Sequence, residues 1–408
     1  DLSRAGGNSL RWWVHLNGRS SPQFTNDTVS GITDNELNSL KQALDTAQKR
    51  NIYVMICLWS FDMLQDNAGT ANFARNKKLI EDSVATAAYI HNALIPLVNA
   101  VKGHPAILCW EICNEPEGMT SEFGWSTKKT TIAAIQKWTN RLAGAIHHTD
   151  STALVSNGSW NIKVVTDVSG FKNYYSDDRL IAAGNDSDGT LDFYMAHYYP
   201  DNFGASESPF HHPKSYWNLN KPLIIGEFPA KGIYGTKISN SLTIEQAYGF
   251  LYDNGYAGAL AWTMTAHDGF GGLLEATPAL ENMVLNHSDT LQIDKSAFNF
   301  TPKFKPTGWD YMIPYGVDTL LEIDFKDFVT DGNDANANLN ISMSSYSNWM
   351  LSTVALQGDT AVKLNWKDSI GAEIISVKVS DPKGKTAISY VNVAIYDSLS
   401  EDVALLRK

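Results

Sequence analysis

Two textures of apolar and polar residues divide the 408-residue chain. Up to about residue 287, short apolar runs alternate with stretches of helical spacing. The runs are 8–15 (NSLRWWVH), 52–59 (IYVMICLW), 106–114 (AILCWEICN), 152–157 (TALVSN), 191–199 (LDFYMAHYY), 222–228 (PLIIGEF) and 258–264 (GALAWTM). Most are apolar throughout rather than at every second position, the pattern of strands buried on both faces of a parallel sheet. Between them the spacing predicts amphipathic helices. One opens with a capping box, Thr33 and Glu36, and repeats Leu37, Leu40, Leu44 and Ala47 on one face. A second runs through Ile132, Ile135, Trp138, Leu142 and Ile146, and a third opens with Thr243 and Gln246 and stops near Gly255.

Seven such strands in one unit favour a closed (β/α)8 TIM barrel over an open doubly wound sheet. No Gly-x-Gly-x-x-Gly turn follows the first run, which also disfavours a dinucleotide fold. The opening, DLSRAGGNSLRWW, reads as the tail of a first helix entering the second barrel strand. The first strand is therefore expected either outside this sequence or replaced by another segment. Beyond residue 288 the pattern changes to period 2, in TLLEIDF, LNISMSS, TAVKLNW, EIISVKVSD and ISYVNVAIYD, with turn-rich pieces between. That predicts a smaller all-β sandwich. The expected division is a catalytic barrel over 1–287, a linker over 288–312 and the sandwich over 313–408. The linker aromatics Phe300, Phe304, Trp309 and Tyr311 are expected to dock onto the barrel.

Composition narrows the partners. A hydrophobic fraction of 43% with 19% charged residues is that of a soluble globular chain with a sizeable core. The net charge of −12 repels phosphate backbones and anionic lipid, so neither nucleic acid nor a membrane surface is an expected partner. No apolar run approaches the roughly 18 residues of a membrane span. No signal peptide is visible, though a mature chain would have lost one. Cys57, Cys109 and Cys113 read as small buried hydrophobes, because two cysteines four residues apart on a strand sit too far apart to pair.

The chemistry lies at the strand ends, which form the mouth of such a barrel. Those ends carry Arg11, Trp59, Asn114, Glu115, Trp160, His197, Tyr199, Glu227 and Trp262. Two carboxylates on opposite walls of a cleft suit glycosidic bond cleavage, one protonated to serve the leaving oxygen and one ionised to attack the anomeric carbon. Arg11 and Tyr199 are expected beside Glu227 to hold it anionic. Glu115, sharing the site with that charge, is pushed toward the neutral acid. Asn114 offers a hydrogen bond to a sugar hydroxyl, and the 12 Trp, 17 Tyr and 16 Phe supply flat faces for pyranose rings. Glu111 and Glu117 read as structural or rim residues, and Trp12, Trp13 and Trp110 as either core or sugar subsite. The pairs His147–His148 and His211–His212 lack a third ligand at metal spacing in the sequence, so no metal site is expected.

NEP ending one strand and IIGEF another, with HYY before it and AWTM after, resembles glycoside hydrolase family 5, a clan of retaining (β/α)8 enzymes. The longer motifs AGGNSLRWWVHLNG, CLWSFDMLQDN, VKGHPAILCWEICNEPEGM, VSNGSWN and NGYAGALAWTM resemble its animal and marine-bacterial endo-β-1,4-mannanases, over residues 1 to about 285. The resemblance implies Glu115 as acid/base and Glu227 as nucleophile, with Arg11, Asn114, His197, Tyr199 and Trp262 lining the subsite of the cleaved sugar. It further implies a secreted, extracellular, cofactor-free monomer acting on β-mannan or a related polysaccharide. The C-terminal stretch VKVSDPKGKTAISYVNVAIYD resembles an immunoglobulin- or cadherin-like module. Two other functions stay open on the residues alone: an endo-β-1,4-glucanase on the same scaffold, and a non-catalytic carbohydrate-binding protein.

Overall fold

The computed structural model describes residues 1–65, 70–295, 298–305, 310–315, 320–325, 328–335, 338–346, 351–357, 361–366 and 370–396. The chain divides into two units, Asp1–Met283 and Val284–Lys408.

In the first unit every apolar run contains a strand: Ser9–Leu16, Tyr53–Ser60, Ile107–Asn114, Val155–Ser159, Tyr194–His197, Leu223–Glu227 and Gly258–Ala259. They pair in parallel and in chain order, with helices over the connections, which is the winding of a (β/α)8 barrel. The arc has seven strands. Among the described residues none lies between Ser9–Leu16 and Gly258–Ala259, so no described segment takes the place of the eighth. The last run keeps only two residues as strand, and Trp262 beyond it bridges to Pro229.

The helices begin where their caps dictate. Thr33 accepts from the Glu36 amide while the Glu36 side chain accepts from the Thr33 amide, and Thr243 with Gln246 repeats the device. Met55, Cys109, Phe193 and Met195 fill the barrel interior. The layer between strands and helices holds Trp59, Trp110, Trp138 and Tyr89, all fully buried. The three cysteines are free and buried. The helical run Ser83–Val101 is long and apolar enough to cross a membrane. Its apolar face (Tyr89, Leu94, Leu97 and Val98) is buried inside this unit, as in a core helix.

The second unit has a four-stranded sheet ordered Asp310–Pro314, Thr386–Tyr396, Gly371–Ser380, Asn340–Tyr346, and a three-stranded sheet of Leu320–Asp324, Ala361–Trp366 and Leu351–Gln357. Ile323 of the smaller sheet shares one core with Ile341, Val377 and Val393 of the larger. The segment read as linker holds the strand Lys303–Phe304, paired with Val329–Thr330. Its described aromatics turn inward. Phe300 packs with Phe298 and Val284, while Phe304 and Tyr311 pack on the core of this same unit. Trp309 lies outside the described residues.

Candidate active site

The strand Ile107–Asn114 is buried to its end, and the next residue, Glu115, is left-handed at φ 47°, ψ 50°. Only strain that the surroundings impose keeps a glutamate there. Its amide is tied to Gly158 O at 2.6 Å, which turns the side chain out over the strand ends.

Arg11 joins the site from the first strand. Its Nε and Nη2 donate to the two oxygens of Glu111 at 2.8 and 2.6 Å, Nη1 donates to Glu227 Oε1 at 2.6 Å, and Nη2 also reaches Asn114 Oδ1 at 2.9 Å. Burial by itself would lower the pKa of this guanidinium, but Glu111 and then Glu227 outweigh it and keep the charge fixed. Tyr199 Oη donates to the other oxygen of Glu227 at 2.8 Å. Burial, and then the Glu227 charge, push the Tyr199 pKa up, so it stays a donor. His197 Nδ1 stands between the two catalytic candidates, 2.9 Å from Glu115 Oε1 and 3.5 Å from Glu227 Oε2. Burial lowers its pKa to about 4, so the ring is neutral: the contact with Glu115 is a hydrogen bond and the approach to Glu227 is not an ion pair.

The two glutamates therefore differ in environment. Burial, assisted by Asp62 and Glu111 and opposed by Arg11, raises Glu115 to about 8. Glu227 instead meets a cation and a hydroxyl. One oxygen of Glu115, one of Glu227 and a nitrogen of His197 all lie within 4.8 Å of one another. Three such groups are also close enough to grip a metal ion. Here, though, the Arg11 guanidinium already engages Glu227.

Glu115 faces a cleft of about 670 Å³. Trp125, Trp160, Phe203 and Phe270 give it aromatic walls, and Lys163, Asn202 and Glu207 add polar groups. Trp160 is set by its backbone amide, which donates to Glu117 Oε2 at 3.2 Å, and by ring contacts with Trp125 and Phe203. Trp262 meets Trp13 edge to face at 5.6 Å, and Trp13 carries the Arg11 guanidinium over its ring at 4.7 Å. Trp262 Nε1 donates to Asp268.

Arg11, Asn114, Glu115, His197, Tyr199 and Glu227 are thus brought together, with Trp160 and Trp262 beside them. Trp59 is not. It is fully buried against His15, Tyr89 and Trp138, the last two on helices, and so belongs to the strand–helix layer. Trp110 is core as well, at 1% exposed. Glu117 is no rim residue: it is completely buried and accepts from Tyr175 Oη and the Trp160 amide. Sequence reasoning missed the partnership of Glu111 with Arg11, and the cleft residues Trp125, Lys163, Phe203 and Phe270. Distant carboxylates do reach one histidine pair. His147 contacts Asp192, and His148 lies near Asp186 and Asp188 on an exposed face.

The family model described as cellulase (glycosyl hydrolase family 5) matches residues 2–268. A mannan endo-1,4-β-mannosidase of Mytilus edulis is 36% identical over 285 residues, covering 65% of this chain and 75% of the relative. The same-named protein of Cryptopygus antarcticus is 36% identical over 283 residues, covering 64% of this chain and 71% of its own. Among solved structures, the β-mannanase of Mytilus edulis superposes with a TM-score of 0.63 at 32% identity, over 70% of this chain and 82% of that one.

Proposed function

The chain belongs to glycosyl hydrolase family 5 and is a glycoside hydrolase, and from that premise we propose that it is a retaining endo-β-1,4-mannanase. The observation that carries the mechanism is the carboxyl pair, with an oxygen of each within 4.8 Å. This is near the roughly 5–5.5 Å at which the second carboxylate touches the sugar itself, and short of the ~6.5–9.5 Å that admits a water. Glu227 attacks the anomeric carbon as Glu115 gives its proton to the departing glycosidic oxygen. The bond to Glu227 forms as the bond to the leaving sugar breaks. Glu115, now a carboxylate, takes a proton from water, whose oxygen attacks the same carbon and releases Glu227. Two inversions restore the configuration.

Arg11 and Tyr199 fix the two Glu227 oxygens, one each. Asn114 Oδ1 is held by Arg11, which leaves its amide nitrogen, 3.5 Å from Ser60 Oγ, to meet a sugar hydroxyl beside the reacting carbon. Neutral His197 orients Glu115. Trp262, edge to face with the Trp13 that carries Arg11, is assigned to the subsite of the cleaved sugar, and Trp160 lines the cleft further along. The substrate class follows the two relatives named for mannan. A polysaccharide of that size is met outside the cell, where we place the enzyme, and one chain supplies all the site residues named, consistent with action as a monomer. No step calls for a cofactor.

The test is release of reducing ends from mannan, glucomannan and carboxymethylcellulose, with product anomers followed by NMR. Cleavage of mannan with retention supports the reading, preference for carboxymethylcellulose moves it to an endoglucanase, and no cleavage leaves only carbohydrate binding. Glu227→Ala should abolish turnover, and added azide should restore attack on an activated mannoside by replacing the lost carboxylate. Full activity of Glu227→Ala without azide would exclude Glu227 as nucleophile.

A further inference from the structure

Glu111 has no part in the chemistry above, yet it is fully buried on the strand that Glu115 follows, four residues before it. Both of its oxygens accept from one edge of the Arg11 guanidinium, at 2.8 and 2.6 Å. The other edge of that flat group presents Nη1 to Glu227 at 2.6 Å. A guanidinium is a rigid fork, so gripping one edge fixes where the other points. The carboxylate fits there because residue 158 on the neighbouring strand is glycine: a Cβ would stand 2.2 Å from Glu111 Oε1 and 3.0 Å from Arg11 Nη2.

Charge adds a second argument. An arginine paired with Glu227 alone would spend its whole charge on the oxygens that must attack. Paired first with Glu111, it hydrogen-bonds Glu227 while its charge is largely compensated. We infer that Glu111 is a positioning residue for the reaction: its bidentate grip on Arg11 sets the approach of Glu227 to the anomeric carbon and leaves Glu227 free to act as a nucleophile. This rests on the reading of Glu227 given above.

The pair also bears on the acid. Facing Glu115 are Arg11 from the first strand, Asp62 after the second, Glu111 and Cys113 on the strand it follows, Glu117 just beyond it, His197 and Tyr199 at the fifth, and Glu227 at the sixth. Within that set the Glu111 charge helps to hold the proton on Glu115.

Glu111→Gln and Glu111→Asp in the full chain, beside wild type and Glu227→Ala, test this by kinetics on soluble mannan across pH. Glu111→Gln puts an amide donor against guanidinium donors, so kcat should fall ~100-fold or more with KM within about three-fold, the pattern of a lost transition-state geometry. The alkaline limb of kcat/KM should move to lower pH, because a charge that raises Glu115 is gone. Glu111→Asp keeps the charge, so it should hold the wild-type limb and recover part of kcat. A purely structural role would lower the melting temperature and leave kcat and the pH limb of the folded enzyme unchanged, and that result overturns the inference. If Glu111→Gln does not fold, Glu111→Asp decides: its shorter carboxylate cannot grip the same edge in place, so wild-type kcat overturns the inference and a reduced kcat with an unmoved limb supports it. A wild type that cleaves no glycan, or an active Glu227→Ala, removes the nucleophile assignment itself and this inference with it.

Discussion

Adding a single methyl group, Gly158→Ala, should damage both stability and turnover. Gly158 lies opposite Asn114 in the parallel sheet and its carbonyl holds the Glu115 amide. Its backbone lies outside the left-handed region, so alanine meets no torsional objection and the effect is one of space. The new Cβ would stand 2.2 Å from Glu111 Oε1 and 3.1 Å from Glu111 Cδ. That is roughly 1 Å short of ordinary contact. Neither partner has room to retreat, since the Arg11 and Glu111 side chains are 4% and 0% exposed.

Overpacking of this kind costs ~1–3 kcal/mol, and more if the buried pair separates, because each half is then an uncompensated charge. For a unit of this size that is a drop in Tm of ~2–4 °C per kcal/mol. If the guanidinium shifts by even a large fraction of the shortfall, Glu227 moves with it, and a ~1 Å misplacement costs about 100-fold in kcat. Differential scanning calorimetry and initial rates on soluble mannan read the two effects separately. The double variant Gly158→Ala/Glu111→Asp, whose carboxylate is drawn back by one methylene, should be less impaired than the two single losses multiplied together. A Gly158→Ala protein with wild-type Tm and kcat within two-fold would show slack around Glu111, and the argument from close fit would fail.

Two further expectations follow from burial. Glu115 and Glu117 sit at about 8 and about 7, raised chiefly by burial. A raised folded pKa means the folded protein holds the proton more tightly than the unfolded chain. The resulting stability is fully present below the ordinary glutamate range and is lost as pH rises through 7 to 8, on the order of 3 kcal/mol per group. Urea midpoints should therefore fall from pH 5 to pH 8, with a shallower fall in Glu117→Gln. A midpoint that rises over that window, or an unchanged slope in the variant, contradicts this account. Trp59→Phe, because Trp59 is core and not cleft, should cost about 1–3 kcal/mol in a denaturant melt and leave KM on mannan unchanged. A several-fold rise in KM at unchanged stability would return Trp59 to the substrate.

What was legible in the sequence was the backbone plan and the residue types at strand ends. Continuous apolar runs fix parallel strands, and parallel strands deliver their last residues to one face, so Arg11, Asn114, Glu115, His197, Tyr199 and Glu227 could be grouped without coordinates. Trp59 shows where the rule stops. Its strand pairs in register with the first through Trp13 and Cys57, then slips, so that Trp59 comes opposite Leu16. The extra residue lies on the first strand, so it re-aims Leu16 rather than Trp59, whose burial against Tyr89 and Trp138 no spacing of apolar residues announces. Trp125, Phe203 and Phe270 sit in loops, which carry no period for a reading to use. In the second unit the alternating runs mark the strands, but not which aromatics serve the core: Phe304 and Tyr311 pack inward while Tyr390 is 57% exposed.

The proposed division of labour between Glu115 and Glu227 lay between these cases. Both were visible at strand ends, and the resemblance implied which is acid and which nucleophile, but the contacts that support that order form only in the fold. Arg11 reaches Glu227 at 2.6 Å and makes no hydrogen bond to Glu115, whose nearest charged-type partner is an imidazole that burial keeps neutral. Burial holds the proton on Glu115 even though the Arg11 charge opposes it. The same guanidinium is steered by Glu111, a hundred residues away in sequence and adjacent only once the sheet has formed. Reading Glu111 as structural was a statement about its burial, which is correct. Its partner gives that burial a chemical consequence, because the side chain that packs the floor of the barrel is also the one that aims the arginine.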